Sequence, residues 1–235
     1  MPKPKRRASK ATSRPRTVVV AKAVLSMNEQ LADLNRGLYR KHRLLALNVL
    51  SSPGSGKTTL LERTIADCRG RLRVGVVVGD LATENDADRL RRHGAQVVQI
   101  TTGTVCHLDS AMVARALQQI DLARLDVLVI ENVGNLVCPA SYDLGEDLRV
   151  VLLSTTEGED KPLKYPPVFS SADVVVVNKT DLAAAAGFDR ESALRNIRRT
   201  APKAVILEVS AKTGQGMEAW YALLEKRLAA ARKAK

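Results

Sequence analysis

Aromatic side chains are scarce in this chain, since Phe, Trp and Tyr together make up only 3% of its 235 residues. A chain of this length can bury a sizeable core, which must then be built mainly from aliphatic side chains. Hydrophobic residues reach 45% and charged residues 26% of the sequence, a composition typical of a soluble globular protein. We therefore expect one folded domain with an aliphatic core.

Long apolar runs are also absent. No run of 18 apolar residues occurs, so the sequence predicts no transmembrane helix and no membrane partner. The N-terminus lacks the apolar stretch of a secretory signal. Cysteine occurs three times, and an odd number in such a chain favours free thiols over a disulfide framework. These absences together predict a cytoplasmic protein.

Acidic residues are missing from the first part of the chain, residues 1–16. That segment contributes +7 to the net charge of +12 through its lysines and arginines, which are Lys3, Lys5, Arg6, Arg7, Lys10, Arg14 and Arg16. A basic arm with few apolar side chains cannot bury enough surface to order itself, so we predict a disordered tail over residues 1–22 and one domain over residues 23–235. We expect a solubilising extension and no specific nucleic-acid partner.

Apolar strands alternate with helices along the rest of the chain. The predicted strands are 44–50, 74–78, 97–100, 127–130, 150–153, 174–177 and 204–209. The predicted helices are 23–40, 57–69, 86–93, 109–120, 190–199 and 215–232. Continuous apolar strands between amphipathic helices indicate an α/β fold whose mostly parallel sheet is covered by helices on both faces.

A phosphate-binding loop follows the first strand and opens the next helix, with the sequence Ser51-Ser52-Pro53-Gly54-Ser55-Gly56-Lys57-Thr58. Glycines allow such a backbone to wrap around phosphate oxygens, and the helix N-terminus favours an anion. Lys57 supplies a charge to the β- and γ-phosphates, and the Thr58 hydroxyl is a ligand for Mg²⁺. The usual pattern begins with Gly where this chain has Ser51. The predicted contacts are Gly54, Ser55, Gly56, Lys57, Thr58 and Thr59.

A base-binding motif follows a late strand and reads Asn178-Lys179-Thr180-Asp181. The Asp181 carboxylate can accept two hydrogen bonds from guanine, whereas adenine would leave it unpaired. Asn178 can brace the loop, and the stem of Lys179 can lie along the base. A second loop at Ser210, Ala211 and Lys212 can hold the base from the other side. The pair of loops predicts a GTP site.

Two acidic residues lie at strand ends between these motifs, Asp80 and Glu131. Ligands of doubly wound folds bind at the carboxyl ends of strands, so both carboxylates are expected to hold Mg²⁺; the alternative is a helix cap or a solvated turn. Gly134 would let the backbone approach the γ-phosphate. The shorter Asn135 stands where signalling GTPases have Gln, which predicts slow hydrolysis. The predicted catalytic set is Lys57, Thr58, Asp80, Glu131 and Gly134.

A metal site is suggested by adjacent Cys106 and His107, with Cys138 further along the chain. Two thiolates and an imidazole suit Zn²⁺ or Ni²⁺. We expect the helix that begins near Asp109 to favour the Cys106 thiolate through its dipole. Spacing alone leaves open the alternative that these cysteines are buried as small hydrophobic residues. That alternative is the better reading of Cys68, which has no partner in the sequence.

Taken together, the motifs resemble those of the hydrogenase nickel-incorporation GTPases, the HypB family. The resemblance covers residues 24–225 and five segments in order, namely 47–62, 101–109, 131–140, 156–166 and 178–182. It implies a dimeric GTPase that binds Ni²⁺ or Zn²⁺ through Cys106, His107 and Cys138 and uses Mg²⁺ with GTP. It also implies that residues 156–166, with Lys161 and Lys164, lie near the nucleotide and the dimer contact.

The implied partners are GTP and GDP, a second copy of the chain, other nickel-delivery proteins and the large subunit of [NiFe]-hydrogenase. Some relatives carry a Cys-rich or His-rich nickel segment near the N-terminus, whereas this sequence has three histidines in all and a Lys/Arg-rich start. We therefore expect no high-capacity nickel storage. The alternatives are a related GTPase that serves urease or another metalloenzyme, and a P-loop kinase of small molecules.

Overall fold

The computed structural model of the chain describes residues 16–80 and 85–233, with side chains described from residue 23 onward. Its strands are β1 (Leu45–Leu50), β2 (Val74–Asp80), β3 (Gln96–Thr101), β4 (Val127–Glu131), β5 (Leu148–Ser154), β6 (Val174–Asn178) and β7 (Val205–Glu208). Its helices are α1 (Arg16–His42), α2 (Lys57–Asp67), α3 (Asn85–Arg92), α4 (Ser110–Leu117), α5 (Lys161–Lys164), α6 (Pro166–Ser170), α7 (Arg190–Thr200) and α8 (Met217–Lys233).

The seven strands of the described residues form one sheet in the order β3-β2-β4-β1-β5-β6-β7, and all neighbouring pairs are parallel. Every residue of β1, β4 and β6 is buried. Burial on both faces explains why these strands read as unbroken apolar runs, since no residue of a covered strand has to face water. The predicted α/β class and parallel sheet are confirmed.

Helices cover both faces of this sheet. Alternate residues of β1 such as Leu45 and Leu47 pack with α2, α3 and α8 on one face. On the other face, Leu44 and Ala46 belong to a cluster with α1 and α4, and residues of β5 and β6 pack with α6 and α7. No helix within residues 16–80 and 85–233 is long and apolar enough to cross a membrane.

The first helix begins at Arg16, earlier than the predicted start at residue 23. The sequence between Pro15 and Gly37 contains neither proline nor glycine, so nothing in it stops the helix from extending toward the N-terminus. The predicted disordered tail, residues 1–22, overlaps this helix from Arg16 onward. Residues 1–15 lie outside the described part of the chain. The short helices α5 and α6, each with a proline in its first turn, were not predicted.

The chain reaches β2 from β1 by passing over the position that β4 later fills, and it returns to the other side of β1 with β5. The direction of strand addition therefore changes next to β1. The carboxyl ends of neighbouring strands diverge at such a point and leave room for a ligand. The carboxyl ends of β1, β2, β4 and β6 all lie at this edge.

At the opposite edge, Asp126 joins β2, β4 and α8. Its carboxylate accepts hydrogen bonds from the Arg73 backbone N–H at 2.8 Å, the Arg73 guanidinium at 2.9 and 3.0 Å, and Arg232 Nη2 at 2.5 Å. The hydrogen bonds from Arg73, with those from Arg232, hold the pKa of Asp126 well below its usual range, against the opposing effect of burial.

We expect Asp126→Asn to lower the free energy of unfolding by about 2 kcal/mol at pH 7, because hydrogen bonds to charged groups contribute roughly 1.5–3 kcal/mol. The folded-state pKa is below the unfolded value of about 3.9, so this stabilisation is present above that pH and is lost as the pH falls through the folded-state pKa.

Urea unfolding at pH 7 and below pH 4 measures both effects. The difference between native chain and variant should be largest at pH 7 and should narrow in acid. Asp88→Asn, which removes an exposed carboxylate paired with Arg91, serves as the control and should change stability little. A difference between Asp126→Asn and the native chain that stays constant with pH would contradict the assignment.

Candidate functional site

The phosphate loop lies between β1 and α2, and two of its glycines have positive φ, Gly54 at 73° and Gly56 at 95°. The Gly56 backbone also passes close to the base loop, because a Cβ placed there would lie 2.5 Å from Asn178 Nδ2. Helix α2 begins at Lys57, so its first free N–H groups face the loop. The predicted loop residues therefore lie where a helix N-terminus can bind phosphate.

Lys57 is buried, and its Nζ donates a hydrogen bond to Ser51 Oγ at 3.0 Å. Burial lowers the pKa of Lys57, and nearby carboxylates, Glu131 first among them, oppose that effect. The departure from the usual Gly therefore gives the lysine a hydroxyl partner, since Ser51 stands at the position of that Gly.

Glu131 lies at the end of β4, fully buried beside the first turn of α2. One carboxylate oxygen accepts a hydrogen bond from Thr58 Oγ1 at 2.8 Å, while Oε2 has no hydrogen-bond partner. Burial raises the pKa of Glu131 to about 7, against the opposing charge of Lys57 and the Thr58 hydrogen bond. An unpaired buried carboxylate oxygen next to a threonine hydroxyl fits Mg²⁺, which prefers oxygen ligands.

These groups line a cavity of about 450 Å³ at the sheet edge. Asp80, at the end of β2, lines the same cavity, so the structure brings the two predicted acidic residues to one site. The other lining residues are Pro53, Gly54, Gly56, Lys57, Thr58, Thr59, Gly79, Asp86, Arg89, Asn132, Val133, Gly134 and Lys179.

The loop after β4 rests directly on the phosphate loop. A Cβ at Gly134 would lie 3.0 Å from Pro53 Cα, so a side chain there would push the two backbones apart by a few tenths of an ångström. Asn135 turns toward a different partner, because its Nδ2 donates to the Cys106 carbonyl at 3.2 Å and its Oδ1 accepts from Val137 N at 2.9 Å. The Asn135 amide thus joins this loop to the cysteine-containing loop.

The base-binding motif is joined to the phosphate loop by the buried Asn178 side chain. Its Nδ2 donates to the Ser55 carbonyl at 3.0 Å, and its Oδ1 accepts from Ala211 N at 3.2 Å. Lys179 adopts a left-handed backbone conformation with φ 62°, and its Nζ donates to the Gly54 carbonyl at 2.7 Å. The Asn178 amide thus links the phosphate loop to the loop that contains Ala211.

A smaller cavity of about 210 Å³ lies beside this bridge and is lined by Gly56, Thr59, Asn178, Lys179, Asp181, Leu182, Ala211 and Lys212. Asp181 Oδ1 accepts a hydrogen bond from Ser210 Oγ at 2.6 Å, which orients the carboxylate. The structure therefore brings the two predicted base loops, around Asp181 and Ala211, to one pocket.

Cys106, His107 and Cys138 converge on one point, and their potential ligand atoms lie within 4.8 Å of one another. The two Sγ atoms are 2.8 Å apart. The His107 ring stacks on Tyr142 at a centroid distance of 4.0 Å, and its buried Nδ1 has no hydrogen-bond partner. Two thiols and an unpaired imidazole nitrogen form a donor set that fits Zn²⁺ or Ni²⁺.

The expected effect of the helix dipole on Cys106 is wrong. Helix α4 begins at Ser110, and its N-terminus is capped by Asp109, whose carboxylate accepts from Met112 N at 2.7 Å. The Cys138 thiol and then burial raise the pKa of Cys106 above its ordinary value. Burial lowers the pKa of His107. Cys68 is separate from this group and lies buried in the core, as expected of a small hydrophobic residue.

Sequence reasoning did not single out two side chains of this site, although one of them lies within residues 156–166. Glu157 accepts from Ser55 Oγ and from Ser154 N, both at 3.0 Å, and its capping-box pattern with Ser154 was the available signal. Arg89 lines the cavity from α3, where it resembles any other charged residue of a polar helix. Lys161, expected near the nucleotide, donates to Ser52 Oγ at 3.2 Å.

Comparison with known proteins identifies the family of this site. The family model described as CobW/HypB/UreG, nucleotide-binding domain, matches residues 45–208, which run from β1 to β7. The hydrogenase maturation factor HypB of Rhizobium leguminosarum bv. viciae is 50% identical over 94% of this chain and 74% of its own length. The chain belongs to the HypB family. Residues 45–208 contain the phosphate loop, the base-binding motif at residues 178–181 and the three potential metal ligands, while the loop at residues 210–212 lies just beyond them.

Solved HypB structures share the fold. HypB from Helicobacter pylori, crystallised in complex with nickel, has a TM-score of 0.83 and 42% identity, covering 86% of this chain and 95% of its own. HypB from Archaeoglobus fulgidus has a TM-score of 0.81 and 41% identity, covering 86% and 99%. This HypB-family chain is therefore a P-loop nucleotide hydrolase and hydrogenase maturation factor by family.

Gly56→Ala is expected to damage the site more than Gly54→Ala. Both residues have positive φ, which costs an L-residue about 1–2 kcal/mol. Only the Gly56 substitution also collides with Asn178, whereas a Cβ at Gly54 meets nothing within 4 Å.

Thermal unfolding without nucleotide and nucleotide titration of both variants test this difference. Gly56→Ala should show the larger loss of stability and the larger loss of nucleotide affinity. Equal losses in the two variants would mean that backbone strain alone matters and that the contact with Asn178 does not.

Proposed function

We propose that the chain is a GTPase that binds Ni²⁺ or Zn²⁺ and delivers nickel during the maturation of [NiFe]-hydrogenase. The observation that carries the proposal is the hydrogen bond from Asn135 to the Cys106 carbonyl, at 3.2 Å. It links the loop that follows Glu131 to the pair of thiols. A bound nucleotide would contact the loop after Glu131, and a bound metal would contact the loop that contains Cys106. The Asn135 hydrogen bond joins these two loops.

Guanine selectivity is supported by the pocket around Asp181. The Ser210 hydroxyl fixes one oxygen of this carboxylate, and the backbone N–H of Ala211 is held by Asn178. A carboxylate so oriented accepts hydrogen bonds from the N1–H and 2-amino group of guanine. Adenine offers neither donor there, so binding it would leave the Asp181 carboxylate without the two hydrogen bonds that guanine supplies.

Hydrolysis is proposed to use Lys57, Thr58, Asp80 and Glu131. Lys57 would exchange its Ser51 hydrogen bond for the β- and γ-phosphates, while Thr58, Glu131 and Asp80 would hold Mg²⁺ directly or through water. The ion supplies charge stabilisation to the phosphates. Asn135 is hydrogen-bonded away from the phosphate loop, which supports slow intrinsic turnover.

The metal is proposed to be cargo bound by Cys106, His107 and Cys138. The nickel complex of the Helicobacter pylori relative supports nickel as a ligand of this family member too. Three ligands per chain leave a four-coordinate metal incomplete, so a second copy of the chain can complete it across a two-fold interface. Further proposed partners are other nickel-delivery proteins and the hydrogenase large subunit.

Asp181→Asn should weaken GTP binding at least several-fold and improve binding of xanthosine triphosphate. A polar mismatch that the bound base covers costs about 1–3 kcal/mol, and xanthine offers a carbonyl acceptor where guanine has an amino donor. Titration with GTP, xanthosine triphosphate and ATP measures the change.

Glu191→Gln, which removes an equal charge from an exposed position on α7, is the matched control and should leave all three affinities unchanged. Competition by ATP as strong as that by GTP in the native chain would refute the guanine assignment.

Cys106→Ala, His107→Ala and Cys138→Ala should each lower Ni²⁺ and Zn²⁺ affinity, by at least roughly tenfold, since even outer-shell changes cost 10–100-fold. Cys68→Ala is the control, because that thiol is buried in the core away from the other two.

Metal titration of each variant, with circular dichroism to check folding, separates the two groups. A loss in Cys68→Ala as large as that in Cys138→Ala would overturn the ligand assignment.

A further inference from the structure

Arg89 is the cationic side chain of the nucleotide cavity that the proposed mechanism has not used. It lies in the second turn of α3, and its side chain lines the cavity together with Lys57 and Glu131. The side chain is 41% exposed, so it borders open space and is not enclosed in the core. An arginine at the wall of a phosphate cavity has the charge and the five N–H donors that phosphate oxygens require.

Three carboxylate oxygens, two from Glu62 and one from Asp86, hold the Arg89 guanidinium. Arg89 Nε and Nη2 donate to the two carboxylate oxygens of Glu62 at 3.0 and 2.5 Å, and Nη1 donates to Asp86 Oδ1 at 3.2 Å. The bond with Glu62 is a planar fork on a carboxylate, and the same fork fits a phosphate. Glu62 therefore occupies the donors of Arg89 that a phosphate would use.

The position of this pair is close to the phosphate loop. Arg89 Nη2 also donates to Thr59 Oγ1 at 3.3 Å, and Thr59 directly follows the proposed Mg²⁺ ligand Thr58. The guanidinium thus lies beside the first turn of α2, the helix whose N-terminus faces the phosphates. A change of rotamer along a long arginine side chain is sufficient to redirect its fork.

We propose that Arg89 leaves Glu62 when GTP binds and donates to its phosphates, stabilising the negative charge of the transition state from within the same chain. This inference rests on the proposed GTPase function. Water attacks the γ-phosphorus as the bond to the β–γ bridging oxygen breaks, and GDP and phosphate result. Arg89 forms no covalent bond and lowers the barrier by its charge and hydrogen bonds. Glu62 is a positioning residue that holds the arginine in its resting place.

Three variants test the proposal by single-turnover GTP hydrolysis and by separate titration of GDP. Arg89→Ala should lower the hydrolysis rate by roughly 10²–10³-fold, at or below the roughly 10³–10⁵-fold contribution of arginine residues in other GTPases. The affinity for GDP should change much less. Arg89→Lys should recover only part of the rate, because ammonium lacks the planar fork. Arg91→Ala removes an equal charge from an exposed pair with Asp88 on the same helix and is the matched control.

Glu62→Gln separates this role from that of a tie between α2 and α3. Glu62 holds two of the donors of Arg89, so its neutralisation should free the arginine and raise the single-turnover rate at subsaturating GTP by about two- to fivefold. The double variant Glu62→Gln with Arg89→Ala should show no such rise. A purely structural tie predicts instead that Glu62→Gln and Arg89→Ala lower the rate together with the melting temperature.

Each outcome decides between these roles. A lower rate in Glu62→Gln, or an unchanged rate in Arg89→Ala within a chain that binds and hydrolyses GTP, would overturn the role of Arg89 and leave the proposed GTPase function standing. A native chain that neither binds nor hydrolyses GTP would overturn both. Melting temperatures of all variants show whether a lost rate reflects unfolding.

Discussion

The side-chain amide of Asn178 connects the parts of the nucleotide site on which the other contacts depend. It is fully buried and satisfies a donor and an acceptor from two distant parts of the chain, the Ser55 carbonyl and the Ala211 N–H. A buried amide with both partners in place fixes the geometry of the groups it joins, because either bond would be costly to break away from water. The separation between the phosphate cavity and the base pocket is thereby set by one residue at the end of β6.

Lys57 and Glu131 bring opposite charges to this edge of the sheet, and their burial disfavours the charged form of each. Burial lowers the pKa of Lys57 and raises that of Glu131 to about 7, so each charged form is destabilised by loss of water and stabilised mainly by the other. A triphosphate with Mg²⁺ brings a partner of opposite charge to both. The site therefore has its strongest electrostatic complementarity toward a ligand that carries an anion and a cation together.

The succession of strands and helices along the chain could be predicted from the sequence, because buried parallel strands leave unbroken apolar runs. The phosphate and base loops follow such runs directly. The start of α1 at Arg16 was missed because the basic composition of the first residues was taken as a sign of disorder. The pKa of Cys106 was misjudged because capping by Asp109 and the contact with Cys138 depend on three-dimensional packing. The position of Arg89 in the cavity was not predicted, because the cavity is formed by segments that lie far apart in the sequence.

The contact between Gly134 and Pro53 restricts which sequences this site can accept. A side chain at residue 134 would meet the Pro53 backbone at 3.0 Å, and backbone cannot move aside as a flexible side chain can. A substitution at Gly134 therefore requires Pro53 to move by a few tenths of an ångström. Asn178 and Lys179 resist that movement, because they hold the phosphate loop through the Ser55 and Gly54 carbonyls. A larger side chain at residue 134 can therefore be accommodated only if the phosphate loop and the loop after β4 adjust together.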